Sequence, residues 1–182
     1  MLSLPQGDQH EGSRDSSPIE LDGSTTLVDF ERFVDLLYPS TSPWKNANRS
    51  QEEWNSILKL ATLWGFPNIR CLAIEHLSKM KLDAFTNIEL GRKYSVSQWL
   101  RNGYMELVKR FDTLTREEVK VIGCSSSIGV FRVREEMAKR FQSAYSVFST
   151  THWSESAIKE GVEKEFVDEL SQVDHSDQEY RR

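Results

Sequence analysis

Apolar positions recur at three- and four-residue steps along most of the chain, the period of one face of an α-helix. Between Thr26 and Tyr38, Leu27, Phe30, Val34 and Leu37 form one stripe with Phe33 beside it, and Pro39 ends the predicted helix. Residues 40–49 read as a turn-rich connection. Ser50 and Glu53 then stand at the spacing of a capping box, in which two side chains satisfy free amides of a first helical turn. Behind them Trp54, Ile57, Leu58, Ala61 and Trp64 form the most regular stripe of the chain, and Gly65 suits a left-handed stop. Pro67 fits the first turn of a third helix, where its missing amide would have had no partner; Ile69, Leu72, Ala73, His76 and Leu77 carry its stripe. Asp83 caps a shorter helix containing Phe85 and Ile88, which Gly91 ends near Lys93. Ser97 opens the next, with Leu100, Tyr104, Leu107, Val108 and Phe111 facing one way. Thr115 and Glu118 repeat the capping-box spacing, flanked by Leu114 and Val119 as a hydrophobic staple and by Gly123 as a stop.

The ends of the chain carry weaker patterns. After the small residues Cys124 to Ser127, residues 128–141 predict a mixed-charge helix with a thinner apolar stripe. Residues 154–173 predict one amphipathic acidic helix: Ile158, Val162, Phe166 and Leu170 recur every fourth position among Glu155, Glu160, Glu163, Glu165, Asp168 and Glu169. Such a helix is expected to pack loosely, to bind a partner, or both. Gln6 to Ser17 is polar and reads as a loop or tail, because it cannot bury enough apolar area to offset its ordering entropy. Ile19 and Leu21 alternate with Glu20 and Asp22 before Gly23, the pattern of one short strand. The expectation is a mainly α fold with that single short strand, and no repeat of solenoid period is present.

At 182 residues, 38% hydrophobic and 28% charged, the chain has the composition of a protein with a packed core. Its 23 Lys and Arg are scattered among 28 Asp and Glu for a net charge of −5, so no face reaches the positive density that neutralising phosphates demands. Nucleic acid is thereby excluded as an expected ligand. Cys71 and Cys124 are far apart and in no paired spacing, which suits a reducing compartment. Met1 to Ser17 has no apolar core of signal-peptide length, and no stretch approaches the roughly 20 apolar residues that span a bilayer. The expectation is a cytoplasmic or nuclear protein with no membrane contact.

Candidate chemistry is thin. Cys71, among Ile69, Leu72 and Ala73, reads as a small core hydrophobe. Cys124, between Gly123 and three serines, reads as part of a helix start, with a small cysteine-dependent hydrolase using Cys124 or Cys71 as the rival from another class. His76 is placed at the edge of a packed face; His10, His152 and His175 fall in polar segments, and none has a second ligand at metal spacing. The run Gly123 to Gly129 lacks the Gly-Lys-Ser/Thr ending of a phosphate loop. Trp54 and Trp64 belong to an apolar stripe and read as core, whereas Trp44 and Trp153 lie in loops and are better placed for an exposed contact. No catalytic residue, cofactor, metal ligand or small-molecule substrate is expected.

With the order of helices in place, the residues from Leu21 to about Arg134 resemble a known family. The segment PIEL…DFERFVDLLYP resembles the strand, helix and closing Leu-Tyr pair of a BTB/POZ domain. EEWNSILKLATLWGFPNIRCLAIEHL resembles the two helices that follow, the Trp-x-x-Ile-Leu-x-Leu-Ala core being its most specific part. IELGRKYSVSQWLRNGYMELVKR and LTREEVKVIG are similar to the helical extension of BTB proteins from mushroom-type fungi, and MLSLPQGDQHEGSRDSSPIEL to their loop leading into the strand. The resemblance implies a non-enzymatic binding platform; many members dimerise, and some bridge cullin-type ubiquitin ligases to substrates. It also implies that strands and a helix of the family precede the position of Met1, which is expected to be an internal family position. The helical layer that packs against that sheet in relatives corresponds to Phe30, Phe33, Leu37, Trp54, Leu58 and Trp64. Phe30, Phe33, Leu37, Trp44 and Trp54 are therefore the candidate partner-binding surface, for a protein partner that is a second copy, a cullin or another chain. The expected division is a flexible segment (1–18), a partial BTB/POZ-like domain (19–80), a helical extension (81–142), and an acidic helix with its tail (143–182).

Overall fold

The computed structural model describes residues 21, 23–38, 49–140 and 153–180. They form nine helices: α1 (Leu27–Leu37), α2 (Gln51–Leu63), α3 (Pro67–Lys79), α4 (Ala84–Lys93), α5 (Ser97–Lys109), α6 (Arg116–Ile122), α7 (Cys124–Arg140), α8 (Glu155–Glu165) and α9 (Val167–Tyr180). The protein is mainly α, as its periodicity predicts. No strand occurs among the described residues. The expected strand falls largely outside them, and Leu21 lies in irregular backbone.

Local chemistry places most helix ends. Ser50 accepts from the Glu53 amide while the Glu53 carboxylate accepts from the Ser50 amide, and Thr115 with Glu118 repeats the arrangement at α6. Asp83 accepts from the amides of Phe85 and Thr86. Thr26 caps α1 and Ser154 caps α8 in the same way. Each such cap satisfies amides that a first turn otherwise leaves unpaired. Gly65 and Gly123 follow α2 and α6 with φ of 68° and 90°, backbone that a side chain disfavours.

Helices α4 and α5 make the most extensive helix pair, and both cores are built on it. On one side Leu90, Tyr94, Val96 and Trp99 join Phe33, Trp54, Leu58 and Leu77 of α1–α3. On the other, Ile88, Leu100, Tyr104 and Leu107 join Val130, Met137, Ile158 and Leu170 of α7–α9. The close approach needs glycine. A Cβ on Gly103 would sit 2.7 Å from the Ala84 carbonyl oxygen and from Ile88 Cγ1; one on Gly91 would sit 2.9 Å from Leu100 Cγ.

Tertiary packing overrides several sequence expectations. The buried residue of α1 is Phe33, while Leu27 is 71% exposed and Leu37 is also exposed, so the inward face is rotated from the predicted stripe. In α3 the inward face is Arg70, Ala73 and Leu77; Leu72 faces solvent, and Cys71 is exposed instead of filling the core. Phe111 lies beyond the end of α5 and is exposed. Helix α7 starts four residues before the predicted position, at Cys124, because Gly123 ends α6 and its carbonyl already accepts the first bond of the next helix from the Ser127 amide. The expected single acidic helix is two helices meeting at Phe166, and its stripe does not pack loosely. Ile158, Val162, Phe166 and Leu170 are all buried. Phe166 stacks face to face on Tyr104, with centroids 3.8 Å apart, over Gly129, where a Cβ would come within 2.7 Å of the ring.

Gly103→Ala places its methyl against backbone that cannot retreat without separating α4 from α5. It is expected to cost about 1–3 kcal/mol in urea unfolding, the usual penalty of overpacking. Gly23→Ala, whose Cβ meets nothing within 4 Å, serves as the neutral control.

Candidate partner-binding surface

Helix α1 packs chiefly on α2, and polar side chains pin it there. Lys59 Nζ lies 2.7 Å from Asp29 Oδ2 and also donates to the Ser24 carbonyl. Arg32 donates to Ser56 Oγ at 2.9 Å, and Arg49 to Asp35 Oδ2 at 2.9 Å. Burial alone would raise the Asp29 pKa. The hydrogen bonds from Lys59, Ser56 and Thr26, with the Lys59 charge, outweigh it and hold the carboxyl down at about 2.

Between these pins lies an aromatic seam. Phe30 and Phe33 meet Trp64 edge-on, with centroids 6.1 and 5.3 Å away, and Phe33 lies 5.5 Å from Phe66. Of the residues expected to form the partner surface, Phe33 and Trp54 are each 1% exposed and serve as core. Phe30 is half-buried against Trp64, Leu37 is exposed one turn beyond Phe33, and Trp44 lies outside the described residues. The structure thus brings Phe30 and Phe33 together, stacks Trp54 on His76 at 4.2 Å, and leaves Leu37 on the rim. Sequence periodicity did not single out Val28, Tyr38, Leu63 and Phe66, all exposed at the ends of α1 and at the α2–α3 junction. Their flanking positions at helix ends were the available signal.

A second polar centre lies beneath a cleft of about 540 Å³ lined by Phe85, Ile88, Glu89, Arg92, Lys93 and Val121. Arg92 Nε donates to Glu169 Oε1 at 2.7 Å, Nη1 to the Ile122 carbonyl at 2.8 Å, and Nη2 to Tyr104 Oη at 2.8 Å and Ser126 Oγ at 2.6 Å. Tyr104 donates to Glu169 Oε2 at 2.7 Å. Burial, with the neighbouring Glu169 carboxylate, pushes the Tyr104 hydroxyl up to about 12, so it stays protonated and donates. Desolvation works against the Arg92 charge, but its bonds to Glu169 and Tyr104 raise its pKa further. Each member satisfies another, and the cluster ties α4, α5, α7 and α9 into one clamp.

The two cysteines are both exposed, on α3 and at the start of α7. Among the described residues no three His, Cys, Asp or Glu side chains converge as a metal site would require, and no helix is long and apolar enough to cross a membrane. No protein-family description, curated protein or solved structure matches the chain.

Two measurements follow from this geometry. A depressed carboxylate stabilises the fold fully above its unfolded pKa near 3.8, and that contribution is lost as pH falls towards about 2. Urea unfolding across pH 2–5 is expected to show this component in the native chain and to lack it in Asp29→Asn. Tyr104→Phe removes a buried hydroxyl bonded to two charged partners and is expected to cost about 1.5–3 kcal/mol in the same assay.

Proposed function

We propose that the chain is a non-enzymatic protein–protein interaction module of BTB/POZ type, in the cytoplasm or nucleus, that docks other chains through α1 and the α2–α3 junction. The supporting observation is the way α1 is used. It is pinned to α2 by Asp29–Lys59 and to the residue before the α2 cap by Asp35–Arg49, yet presents Leu27, Val28, Leu37 and Tyr38 to solvent at its two ends. Beside it Leu63 and Phe66 are exposed as well, Phe66 being in ring contact with Phe33. Large apolar side chains left exposed beside ion-paired ones are a feature that docking surfaces share. The resemblance of DFERFVDLLYP and EEWNSILKLATLWGFPNIRCLAIEHL to BTB/POZ helices supports the same assignment of these elements. The two cysteines are exposed on separate helices, α3 and α7.

The test is sedimentation equilibrium over a wide concentration range, alone and with a cullin N-terminal domain. Self-association or cullin binding is expected, and Val28→Asp with Tyr38→Ser should weaken it at least tenfold while leaving the circular dichroism unchanged. A chain that stays monomeric and ignores the cullin, or binding indifferent to both substitutions, sinks the proposal.

A further inference from the structure

Helix α9 is attached in two different ways along its length. Its first half is held by Leu170 and Val173, both buried in the second core. Past Val173 no apolar side chain of the helix is buried among the described residues. The last two turns are held by charge: Asp174 to Arg101 Nη2 and Asp177 to Arg70 Nη1, each at 2.9 Å, with the Tyr180 ring 4.6 Å from the Arg70 guanidinium carbon. The Asp174 carboxylate is 44% exposed and its pair contributes little, whereas leaving Arg70 without a carboxylate strands a buried charge; this end of the helix therefore opens by exchange, another carboxylate taking the place of Asp177, while the half anchored by Leu170 stays closed.

What lies beneath is built differently. The Arg70 side chain is 2% exposed, fixed on α3, and its Nη2 donates to the Tyr94 carbonyl at 2.7 Å. Its Nε is buried and has no hydrogen-bond partner among the described residues. A buried guanidinium that is only partly satisfied retains the capacity to take a carboxylate on its planar fork. The cis occupant consists of one carboxylate and one aromatic ring a helical turn later, Asp177 and Tyr180.

We infer that the end of α9 is a releasable strap. It fills a carboxylate-plus-aromatic site at Arg70, and the same site takes an acidic segment of another protein chain, with an Asp or Glu followed one turn later by an aromatic residue. The buried cation selects the acid, and the face of its guanidinium selects the ring. This site lies on α3 one turn beyond Phe66 and uses Arg70, Asp177 and Tyr180, none of them among the exposed residues of the α1 surface, so it stands whether or not that surface docks a partner.

Fluorescence anisotropy of a labelled peptide with the sequence of residues 171–182 tests the inference against the full-length chain. Asp177→Asn with Tyr180→Ala is expected to bind the peptide at least tenfold more tightly than the native chain, because the cis competitor is weakened; Tyr180→Ala alone should fall between. Replacing the peptide's own aspartate equivalent to Asp177 by asparagine should return binding to the native level. Equal affinity for all chains, or none for any, overturns the site. Hydrogen exchange on the double variant supplies the second measurement. Faster exchange confined to residues 174–180 and the α3 turns around Arg70 supports a strap, whereas loss of protection throughout α8 and α9 makes that end an integral part of the core and overturns it.

Discussion

The approach of α4 to α5 at Gly91 and Gly103 is the constraint on which the remaining architecture depends. Both helices offer one face to each core, so their separation sets the depth of two cavities at once. With Gly103 against the Ala84 carbonyl, Ile88 and Leu100 reach one side while Tyr94 and Trp99 reach the other. Interiors close-packed to crystal-like density tolerate little change in such a spacing. Helices α1–α3 and α7–α9 therefore fill space on opposite sides of a pair that is already fixed.

The second organising feature is where the cations stand. The acids of α8 and α9 give that region an excess of negative charge, and in isolation they repel. Arg101 meets Glu163 and Asp174, Arg92 meets Glu169, and Arg70 meets Asp177. These three arginines come from α3, α4 and α5, so the acidic helices are bound electrostatically to the centre as well as through their apolar stripe. Arginine suits this work because its fixed fork can hold a carboxylate and a carbonyl or hydroxyl together, as Arg92 does. Removing one partner would strand a partly buried charge, so these pairs are costly to break even where their net contribution to stability is small.

Elements were legible in the sequence wherever local chemistry decides them. Both capping boxes, the Asp83 cap, Pro67 at the start of α3 and the glycine stops at Gly65 and Gly123 were readable because each concerns residues within a few positions of one another. Which face turns inward was less legible. The α1 stripe of Leu27, Phe30, Val34 and Leu37 is apolar, but Phe33 is the residue that reaches Trp64 and Phe66, and only the position of α2 determines that. Arg70 was missed because a charged side chain is assumed to face water. It nevertheless stands three residues before Ala73 and seven before Leu77, in register with the buried face, and the acids of α9 were the other half of the signal. Phe166 ends α8 with nothing nearby to announce a break, since its stacking partner Tyr104 is remote in sequence. The candidate surface was half legible for the same reason. Its aromatic residues were identifiable, but Phe33 and Trp54 are core, and the rim is made by Val28, Tyr38, Leu63 and Phe66 at helix ends.

The two halves of the molecule therefore present apolar side chains under different rules. The stripe of α8 and α9 has the spacing of a partner-binding helix, yet it is consumed internally, because Gly129 and Gly161 open room for Phe166 and for Val133 and Met137. Helix α1 is mostly spared such enclosure because α2 is its main neighbour; it is held by Phe33 in the first core, by one aromatic seam, and by ion pairs to Lys59 of α2 and to Arg49 just before it. A helix held by pins at its flanks keeps its orientation without burying its ends. That combination, fixed in direction but apolar at the tips, would reduce the ordering entropy of docking at the surface proposed for α1.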